Sequence, residues 1–433
     1  MRVDRPSRPS FEDSRAEPVR SPLADGDRLG DLWVAWSLPV VSWGARSLGL
    51  VQGQLPRPPA RSWKRSLGVP ASALPEVDES LLVDLQARLR AFRQVATAGD
   101  DGWDRGVDLS HLAPLVRYWA EEYDWRQQER RIRALPWVEV GDDRTPIRAI
   151  HQRAGGDAAT VVMLHGWPDS VLRFERLLPL LTDLNVVVPA LPGFPFAAPV
   201  VEGGLPTAAM AGAVGRAMAK LGYTRYVVSA GDVGSDVAEA LALSRPQDVA
   251  ALHLTDVSQY RSLVDPPTDL SEREEEYVRG GHHWQATEGG YMREQSTKPQ
   301  TLAVGLGDSP AGLAAWILEK LRSWTDSGGD VETVFTRDEL LTWITAYWVT
   351  GTIGTSFTPY ADKTGRPTGT INTPTAFTIF PADLVNAPRE FAERFFDVRY
   401  WEEFSAGGHF AAWEYPKDYA RGVRAAVALA AQR

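Results

Sequence analysis

The sequence predicts an α/β fold in which a mostly parallel central sheet is covered by helices and interrupted by a helical insertion. The first observation is a series of short apolar and β-branched runs, each followed by a polar loop. The second is that helical patterns separate these runs, as in parallel strands joined by crossover helices. The third is a long stretch after Asp256 in which helical patterns continue and strand patterns stop. The strand candidates lie in 160–170, 185–197, 226–232, 250–256, 373–381 and 397–404.

The composition is that of an ordinary globular protein and excludes several classes of function. With 433 residues, 44% of them hydrophobic, the chain is long enough for one large domain with an added subdomain. The net charge of −10, with no basic run to offset it, argues against a nucleic-acid partner. The absence of cysteine excludes disulfides, thiolate catalysis and zinc–cysteine sites. It is compatible with a reducing compartment, and we expect a cytoplasmic location.

The N-terminal residues 1–65 are predicted to form an extension, partly disordered and containing an apolar arm. The first part is rich in Arg, Pro, Ser and Asp and lacks the apolar content of a packed core. The uncharged run 32–45 is too short to span a bilayer. A packed surface arm is favoured over an interfacial anchor, so we expect no membrane contact. A Pro/Arg-rich connector at 54–66 marks the boundary.

Beyond this boundary the patterns divide the chain into a helical N-terminal domain, a sheet core in two halves, and a helical cap between the halves. Apolar residues recur at helical spacing around Leu85 and Leu115, which predicts amphipathic helices before the first strand. This outline is typical of the α/β-hydrolase fold with a cap. The assigned ranges are 66–155 for the N-terminal domain, 156–257 and 355–433 for the core, and 258–354 for the cap.

The segment 226–236, "YVVSAGDVGSD", predicts a strand, a tight turn and a helix, with Asp232 at the turn. The small residues Ala230, Gly231 and Gly234 allow the backbone to turn sharply. This is the chain geometry of a nucleophile elbow, in which one side chain is exposed. A carboxylate is ionised at neutral pH without the help of a base. Asp232 is therefore predicted to be a nucleophile that attacks a saturated carbon and forms an alkyl ester.

Hydrolysis of such an ester requires a base, an orienting acid and donors for the developing negative charge. His409, in the glycine-rich loop after the last strand pattern, is the predicted base. Asp383 follows the preceding strand and is the predicted orienting acid, with Asp256 at the end of another strand as its rival. The backbone N–H groups of Trp167 and Val233 are expected to form the oxyanion hole.

An aspartate nucleophile at saturated carbon restricts the leaving group to an epoxide oxygen or a halide. An epoxide oxygen needs an acid such as a phenol, whereas a halide needs polarised N–H donors such as an indole beside the nucleophile. The residue after the nucleophile is Val233, and the cap range offers Tyr291, with Tyr360 a few residues beyond its end. His165 is expected to hold its loop by a hydrogen bond. We predict no metal site, because His282 and its neighbour lack ligand spacing.

Taken jointly, several motifs resemble the microsomal-type epoxide hydrolases, α/β-hydrolases with an additional N-terminal domain. The resemblance rests on a "YWxxEYDWRxxE" pattern and on "HGWPDS", "GYMxxQxTKPQT", "DSPAGLAAWILEK" and "GGHFAAWEYP", over a range from about residue 75 to the C-terminus. It implies conversion of a small-molecule epoxide and water to a vicinal diol, without a cofactor. In that reaction Asp232 matches the nucleophile, His409 the base, and Tyr291 and Tyr360 the donors to the epoxide oxygen.

The elbow reads "AGDVGS" where the family usually has "GGDWGS". Val233 in place of tryptophan removes a bulky wall, which predicts a wider pocket for a large polycyclic or natural-product epoxide. Asp383 stands where the family usually has glutamate. Because its shorter side chain has less reach toward His409, Asp256 remains an alternative orienting acid. A haloalkane dehalogenase-like hydrolase is the alternative function, and a catalytically retired binding module the second alternative. A homo-oligomer is compatible with the sequence.

Overall fold

The computed structural model describes residues 74–97, 102–142, 144–366 and 368–432. The predicted extension 1–65, with its apolar arm at 32–45 and its connector at 54–66, lies outside the described residues. All the described residues fall within one structural unit, Leu67–Arg433.

Eight strands form a single sheet in the order β1-β2-β4-β3-β5-β6-β7-β8. The pairs from β4 to β8 are parallel, whereas β2 is antiparallel to both β1 and β4. The mostly parallel sheet predicted from the sequence is therefore confirmed. The strands are β1 Trp137–Gly141, β2 Pro146–Gln152, β3 Thr160–Leu164, β4 Asn185–Ala190, β5 Tyr226–Ala230, β6 Val249–Leu254, β7 Ile371–Ile379 and β8 Phe396–Glu403.

The central strands β3, β4, β5 and β6 are buried along their whole length. Helices cover both faces of a parallel sheet, so its strands are continuous apolar runs and are conspicuous in the sequence. The two antiparallel strands lie within the range 66–155 that the sequence assigns to the N-terminal domain. They are less apolar, and Glu139 of β1 forms a cross-strand ion pair of 2.8 Å with Arg148 of β2.

The described residues contain fifteen α-helices. The N-terminal helices are α1 Glu79–Arg90, α2 Leu109–Glu121 and α3 Trp125–Arg133, and the core helices before the insertion are α4 Thr207–Lys220 and α5 Val233–Ser244. The helices between β6 and β7 are α6 Gln259–Leu263, α7 Glu272–Thr287, α8 Gly290–Thr297, α9 Pro299–Asp308, α10 Pro310–Ser323, α11 Arg337–Thr350 and α12 Thr358–Ala361. The remaining helices are α13 Arg389–Glu393, α14 Ala411–Glu414 and α15 Pro416–Ala430.

The helices between β6 and β7 are anchored to the N-terminal helices by polar contacts, one buried and one partly buried. The hydroxyl of Tyr123, after α2, lies 3.0 Å from Oγ1 of Thr342 in α11, and the hydroxyl of Tyr118 donates to Asp338 at 2.9 Å. Such hydrogen bonds let tyrosine side chains cross an otherwise apolar interface without an unsatisfied hydroxyl. The N-terminal helices thus support the helices that cover the carboxyl ends of the parallel strands.

Within the described part of the chain, no single helix is long and apolar enough to cross a membrane. Helices α9 and α10 meet that criterion together, on length and composition alone, and they are bent by 114° at their junction.

Candidate active site

The predicted turn between β5 and α5 places Asp232 in an unusual backbone conformation, with φ 56° and ψ −135°. A positive φ at a residue with a side chain costs about 1–3 kcal/mol and persists only where the surroundings enforce it. The surroundings of Gly234, two residues after Asp232, show how tightly this turn is packed. A Cβ atom there would lie 2.5 Å from the carbonyl oxygen of Leu164 and 2.7 Å from that of His165. Only glycine lets α5 begin this close to the end of β3.

The Asp232 carboxylate is held by the loop that follows β3. The backbone N–H of Trp167 donates to Asp232 Oδ1 at 2.8 Å. A Cβ atom on Gly166 would lie 2.4 Å from the same oxygen, so this position accepts no side chain without displacing the carboxylate. Val233 is the first residue of α5, where backbone N–H groups have no partner within the helix. The two backbone donors named from the sequence thus adjoin Asp232.

His409 lies between two carboxylates. Its Nδ1 is 2.7 Å from Asp383 Oδ1, and its Nε2 is 3.5 Å from Asp232 Oδ2. Burial alone would lower the pKa of His409, but the charges of Asp383 and Asp232 outweigh burial and raise it to about 10. Burial alone would raise the pKa of Asp383, and the neighbouring imidazolium lowers it overall. The pair is therefore an imidazolium and a carboxylate at neutral pH.

Asp256, the rival acid, makes a different contact. Its Oδ1 accepts a hydrogen bond of 2.5 Å from the hydroxyl of Ser235. Burial, with a smaller contribution from the charge of Asp383, raises the pKa of Asp256 to about 7. The structure thus places Asp383, and not Asp256, in hydrogen-bonding contact with His409.

Two phenols face the nucleophile from the helices above the sheet. Tyr291, in α8, and Tyr360, in α12, have ring centroids 6.0 Å apart. The indole of Trp167 stacks on Tyr291 at 5.2 Å and meets the Tyr360 ring edge-on at 6.1 Å. Burial, and next the charge of Asp232, raises the pKa of both phenols well above the ordinary value. Both hydroxyls are therefore neutral hydrogen-bond donors.

These groups line one cavity of about 110 Å³. It brings together every side chain that the sequence predicted for the site except Trp167, which adjoins it through its backbone N–H. The predicted residues in the cavity wall are Asp232, Val233, Asp256, Tyr291, Tyr360, Asp383 and His409. In the part of the chain that the structure describes, no group of three or more His, Asp or Glu side chains is placed to hold a metal ion.

The sequence reasoning missed a buried ion pair that joins the two loops of the site. Asp169 accepts from the Gly166 N–H at 2.8 Å and pairs with Arg173 at 2.7 Å. Arg173 in turn donates to the carbonyl oxygen of His409 at 2.5 Å. Both side chains of the pair are 1% exposed or less. The available signal was an Asp and an Arg four residues apart in an otherwise apolar segment.

A second missed residue is Glu414, in α14. Its Oε2 accepts the N–H groups of Gly408 and Asp326 at 3.2 and 2.8 Å, and its Oε1 accepts that of Phe410 at 3.0 Å. Burial raises the pKa of Glu414 to about 7. Because Gly408 and Phe410 flank His409, this carboxyl group fixes the loop on both sides of the imidazole.

His165 has the structural contacts expected from the sequence. Its Nε2 accepts the N–H of Leu191 at 3.1 Å, which leaves Nδ1 to donate to the carbonyl oxygen of Gly166, also at 3.1 Å. The ring therefore ties the loop after β3 to the loop after β4 and holds the Trp167 N–H in place.

Comparison with known proteins agrees with this geometry. Residues 71–174 match the family model "Epoxide hydrolase N terminus", and residues 159–299 match the "alpha/beta hydrolase fold" model. The structure superimposes on that of the Aspergillus niger epoxide hydrolase with a TM-score of 0.73 and 26% identity, over 83% of this chain and 98% of that one. The structure of the juvenile hormone epoxide hydrolase of Bombyx mori gives a TM-score of 0.72 and 27% identity, over 82% of this chain and 93% of that one. The predicted α/β-hydrolase fold is confirmed.

Proteins that are similar to this chain in sequence are also named epoxide hydrolases. A Stigmatella aurantiaca protein named "Putative epoxide hydrolase" is 37% identical over 363 residues, 80% of this chain and 82% of the relative. "Epoxide hydrolase 1" of Sus scrofa is 29% identical over 401 residues, which cover 83% of this chain and 88% of the relative. Sequence, fold and site thus agree, and the chain belongs to the epoxide hydrolase family of α/β-hydrolases, enzymes that convert an epoxide and water to a diol.

Proposed function

We propose that this epoxide hydrolase acts by covalent catalysis, with Asp232 forming an alkyl ester that water then hydrolyses to a vicinal diol. The observation that carries the proposal is the arrangement of the Asp232 carboxylate. Oδ1 is held by the Trp167 N–H at 2.8 Å, whereas Oδ2 lies 3.5 Å from His409 Nε2, and Asp232 lines the cavity. Oδ2 is therefore the attacking oxygen, and Oδ1 becomes the ester carbonyl oxygen.

In the first step the epoxide oxygen accepts hydrogen bonds from Tyr291 and Tyr360. Asp232 Oδ2 attacks one ring carbon, the carbon–oxygen bond of the ring breaks, and a phenol transfers its proton to the departing alkoxide. Placing an acid where negative charge develops typically accelerates such a step by about 10²–10⁴-fold. The paired phenols favour this reaction over dehalogenation, in which the leaving halide requires no proton.

In the second step a water molecule attacks Cγ of the ester. His409 Nε2 accepts its proton, and the oxyanion at Oδ1 is stabilised by the Trp167 and Val233 N–H groups. Collapse of the tetrahedral intermediate breaks the bond between Cγ and Oδ2 as His409 gives its proton to Oδ2, so one diol oxygen originates from Asp232. The water oxygen stays on Cγ, and the remaining carboxyl proton passes to His409, which restores the carboxylate and the imidazolium. The negative charge of Asp232 helps to raise the pKa of His409. Forming the ester removes that charge, so the pKa falls. The imidazolium then gives up its proton, which replaces the proton that the phenol lost, and neutral His409 becomes a competent base.

Asp383 is assigned the role of orienting acid. Its hydrogen bond to Nδ1 directs Nε2 toward Asp232, and its charge stabilises the imidazolium that forms when water is deprotonated. The co-location of nucleophile, base, acid and two phenols in one cavity also argues against a catalytically retired binding module.

The size of the cavity bears on the substrate. The sequence predicted a wide pocket from Val233, whereas the cavity measures about 110 Å³. A cavity of about 150 Å³ accommodates benzene, so this smaller cavity suits a short alkyl epoxide better than an aryl or polycyclic one. We therefore propose a compact epoxide, with water as the second substrate.

The test is to trap the ester in His409→Gln protein with 1,2-epoxybutane, a short alkyl epoxide, and to measure the intact mass. We expect a gain equal to one whole epoxide, located on the peptide that contains Asp232. His283→Gln is the matched control, because His283 is exposed on α7 and outside the cavity, and it should turn over without accumulating an adduct. An unmodified Asp232 peptide in His409→Gln, with wild-type protein active on the same epoxide, would refute the covalent route.

A further inference from the structure

A buried lysine beside the active site has no part in the proposed reaction. Lys320 lies in the last turn of α10, and its side chain is 8% exposed. Lysine is almost never buried unless its charge has a partner. Lys320 Nζ pairs with Glu319 Oε2 at 2.5 Å, and the Glu319 side chain is the more exposed of the two, at 18%. The ammonium is therefore the more deeply buried member of this ion pair.

The Lys320 ammonium lies over two aromatic rings near the cavity. Nζ is 5.0 Å from the centroid of the Tyr291 ring and 5.7 Å from that of Trp324. The two rings contact each other, with centroids 5.2 Å apart. A cation within about 6 Å of a ring centroid is attracted by the electrons of the ring. Lys320 is thus held against a phenol that donates to the epoxide oxygen in the proposed reaction.

Opening of the epoxide places negative charge on this phenol. The O–H bond of Tyr291 breaks, its proton passes to the alkoxide oxygen, and the electron pair stays on the phenol oxygen as a phenolate. The charge of a phenolate is delocalised into its ring, so a cation over the ring attracts the phenolate more strongly than it attracts the neutral phenol. An interaction that strengthens as the reaction proceeds lowers the barrier to that step.

Other groups around Tyr291 disfavour a negative charge on it. Burial, then the charge of Asp232 and, as a smaller cause, that of Glu319 raise the pKa of Tyr291 well above its ordinary value. Asp232 loses its charge when it forms the ester, whereas Glu319 keeps its charge. Because Lys320 pairs with Glu319, its ammonium offsets the adverse charge that the reaction does not remove.

We propose that Lys320 is a positioning residue that acts through Tyr291, its ammonium stabilising the phenolate that forms when the epoxide ring opens. Lys320 is not part of the cavity wall, so it assists the reaction without touching the epoxide. The inference rests on the proposed opening of the epoxide at Asp232, in which a phenol protonates the leaving oxygen. Hydrolysis of the ester should not depend on Lys320, because His409 accepts the proton in that step.

The test measures formation and decay of the ester by rapid quench, with 1,2-epoxybutane as substrate. Lys320→Met keeps a side chain of similar length and removes the charge. It should slow ester formation by about tenfold, a typical effect of a desolvated cation over an aromatic ring, and leave ester decay unchanged. Lys320→Arg keeps the charge and should retain most of the rate. Glu319→Gln should accelerate ester formation, because it removes the adverse charge and keeps an acceptor for Ser323.

A second background shows whether the effect passes through the phenol. In Tyr291→Phe the ring remains and Tyr360 still donates to the epoxide oxygen, so adding Lys320→Met should change ester formation by less than about twofold. A loss that arose from packing of α10 would persist in this background and would overturn the inference. A loss in Lys320→Arg equal to that in Lys320→Met would also overturn it.

Lys417→Met is the matched control, because Lys417 is exposed on α15 and outside the cavity wall. It should leave both rates unchanged. The trapped ester in His409→Gln tests the covalent route separately, since the adduct forms there whether or not Lys320 assists. An adduct in His409→Gln, together with equal rates of ester formation in wild-type protein and Lys320→Met, would overturn the inference and leave the covalent route intact.

Discussion

Asp383 Oδ1 lies 2.7 Å from His409 Nδ1, a direct hydrogen bond made by an aspartate at the position where the family resemblance led us to expect glutamate. The backbone explains how the shorter side chain reaches. The N–H of Ala382 donates to the carbonyl oxygen of Gly407 at 2.9 Å, and Ala382 forms an isolated β-bridge with Gly408. Because this bridge joins the acid loop to the histidine loop, the two side chains meet without an additional methylene group.

Replacing each of the two candidate acids with asparagine distinguishes their roles. Asp383→Asn should slow hydrolysis of the ester by about 10²-fold or more, because the amide cannot stabilise the imidazolium. Asp256→Asn should change the same rate by less than about threefold, because its contact is with Ser235. Rapid-quench measurement of ester decay in single turnovers gives both rates. The opposite ranking would assign the acid to Asp256.

The phenols should act in a different step. Tyr291→Phe and Tyr360→Phe, combined, should slow formation of the ester by about 10²–10⁴-fold, because the alkoxide loses its proton donors. Decay of an ester already formed should change little. Tyr277→Phe is the control: its ring is buried in α7 and lies outside the cavity wall. An unchanged rate of ester formation in the double variant would remove both tyrosines from the mechanism.

Much of the site could be predicted because its main residues are marked by local patterns. Asp232 is surrounded by the small residues that a sharp turn requires, and His409 follows two glycines in a loop. The strands β3 to β6 were recognisable for a related reason, since burial on both faces produces continuous apolar runs. Local steric requirements leave a readable pattern in the sequence.

Contacts between distant segments leave no such pattern. The hydrogen bond from Arg173 to His409 spans 236 positions, and Gln259 and Arg366 line one cavity only because the fold brings two loops to it. The strands β1 and β2 were missed for another reason. They lie at one edge of the sheet, where partial exposure admits polar residues such as Glu139 and hides the apolar pattern.

The stability of the protein should depend on pH through Asp256. Its pKa is raised to about 7 in the folded state, so the folded protein holds a proton that the unfolded chain releases near pH 4. The favourable contribution is present at low pH and is lost as the pH rises through about 7. Asp256→Asn, which keeps an acceptor for Ser235, should therefore raise the free energy of unfolding at pH 8 and have little effect at pH 4.

Urea denaturation of both proteins at the two pH values measures this difference. Asp84→Asn is a suitable control, since Asp84 is about half-exposed and pairs with Arg88 on the surface of α1. An effect of Asp256→Asn that is equal at pH 4 and pH 8 would show that the carboxyl group does not titrate in this range.

The buried pair Asp169–Arg173 should be the most sensitive ionic contact near the site. Arg173→Met removes the cation and leaves the Asp169 carboxylate buried without a counter-charge, which typically costs about 3–5 kcal/mol of the free energy of unfolding. Arg424→Met removes the partner of Asp183 from an ion pair that is about half-exposed, so its cost should stay below about 1 kcal/mol. Urea denaturation of the two variants measures both costs.

A second substitution identifies the cause of the loss. Asp169→Asn in the Arg173→Met background removes the unpaired charge, so the double variant should recover part of the lost stability. It should still lack the hydrogen bond from Arg173 to the His409 carbonyl oxygen, and hydrolysis of the ester should therefore remain slow while stability improves. A double variant no more stable than Arg173→Met alone would show that the loss comes from packing around the guanidinium and not from the buried carboxylate.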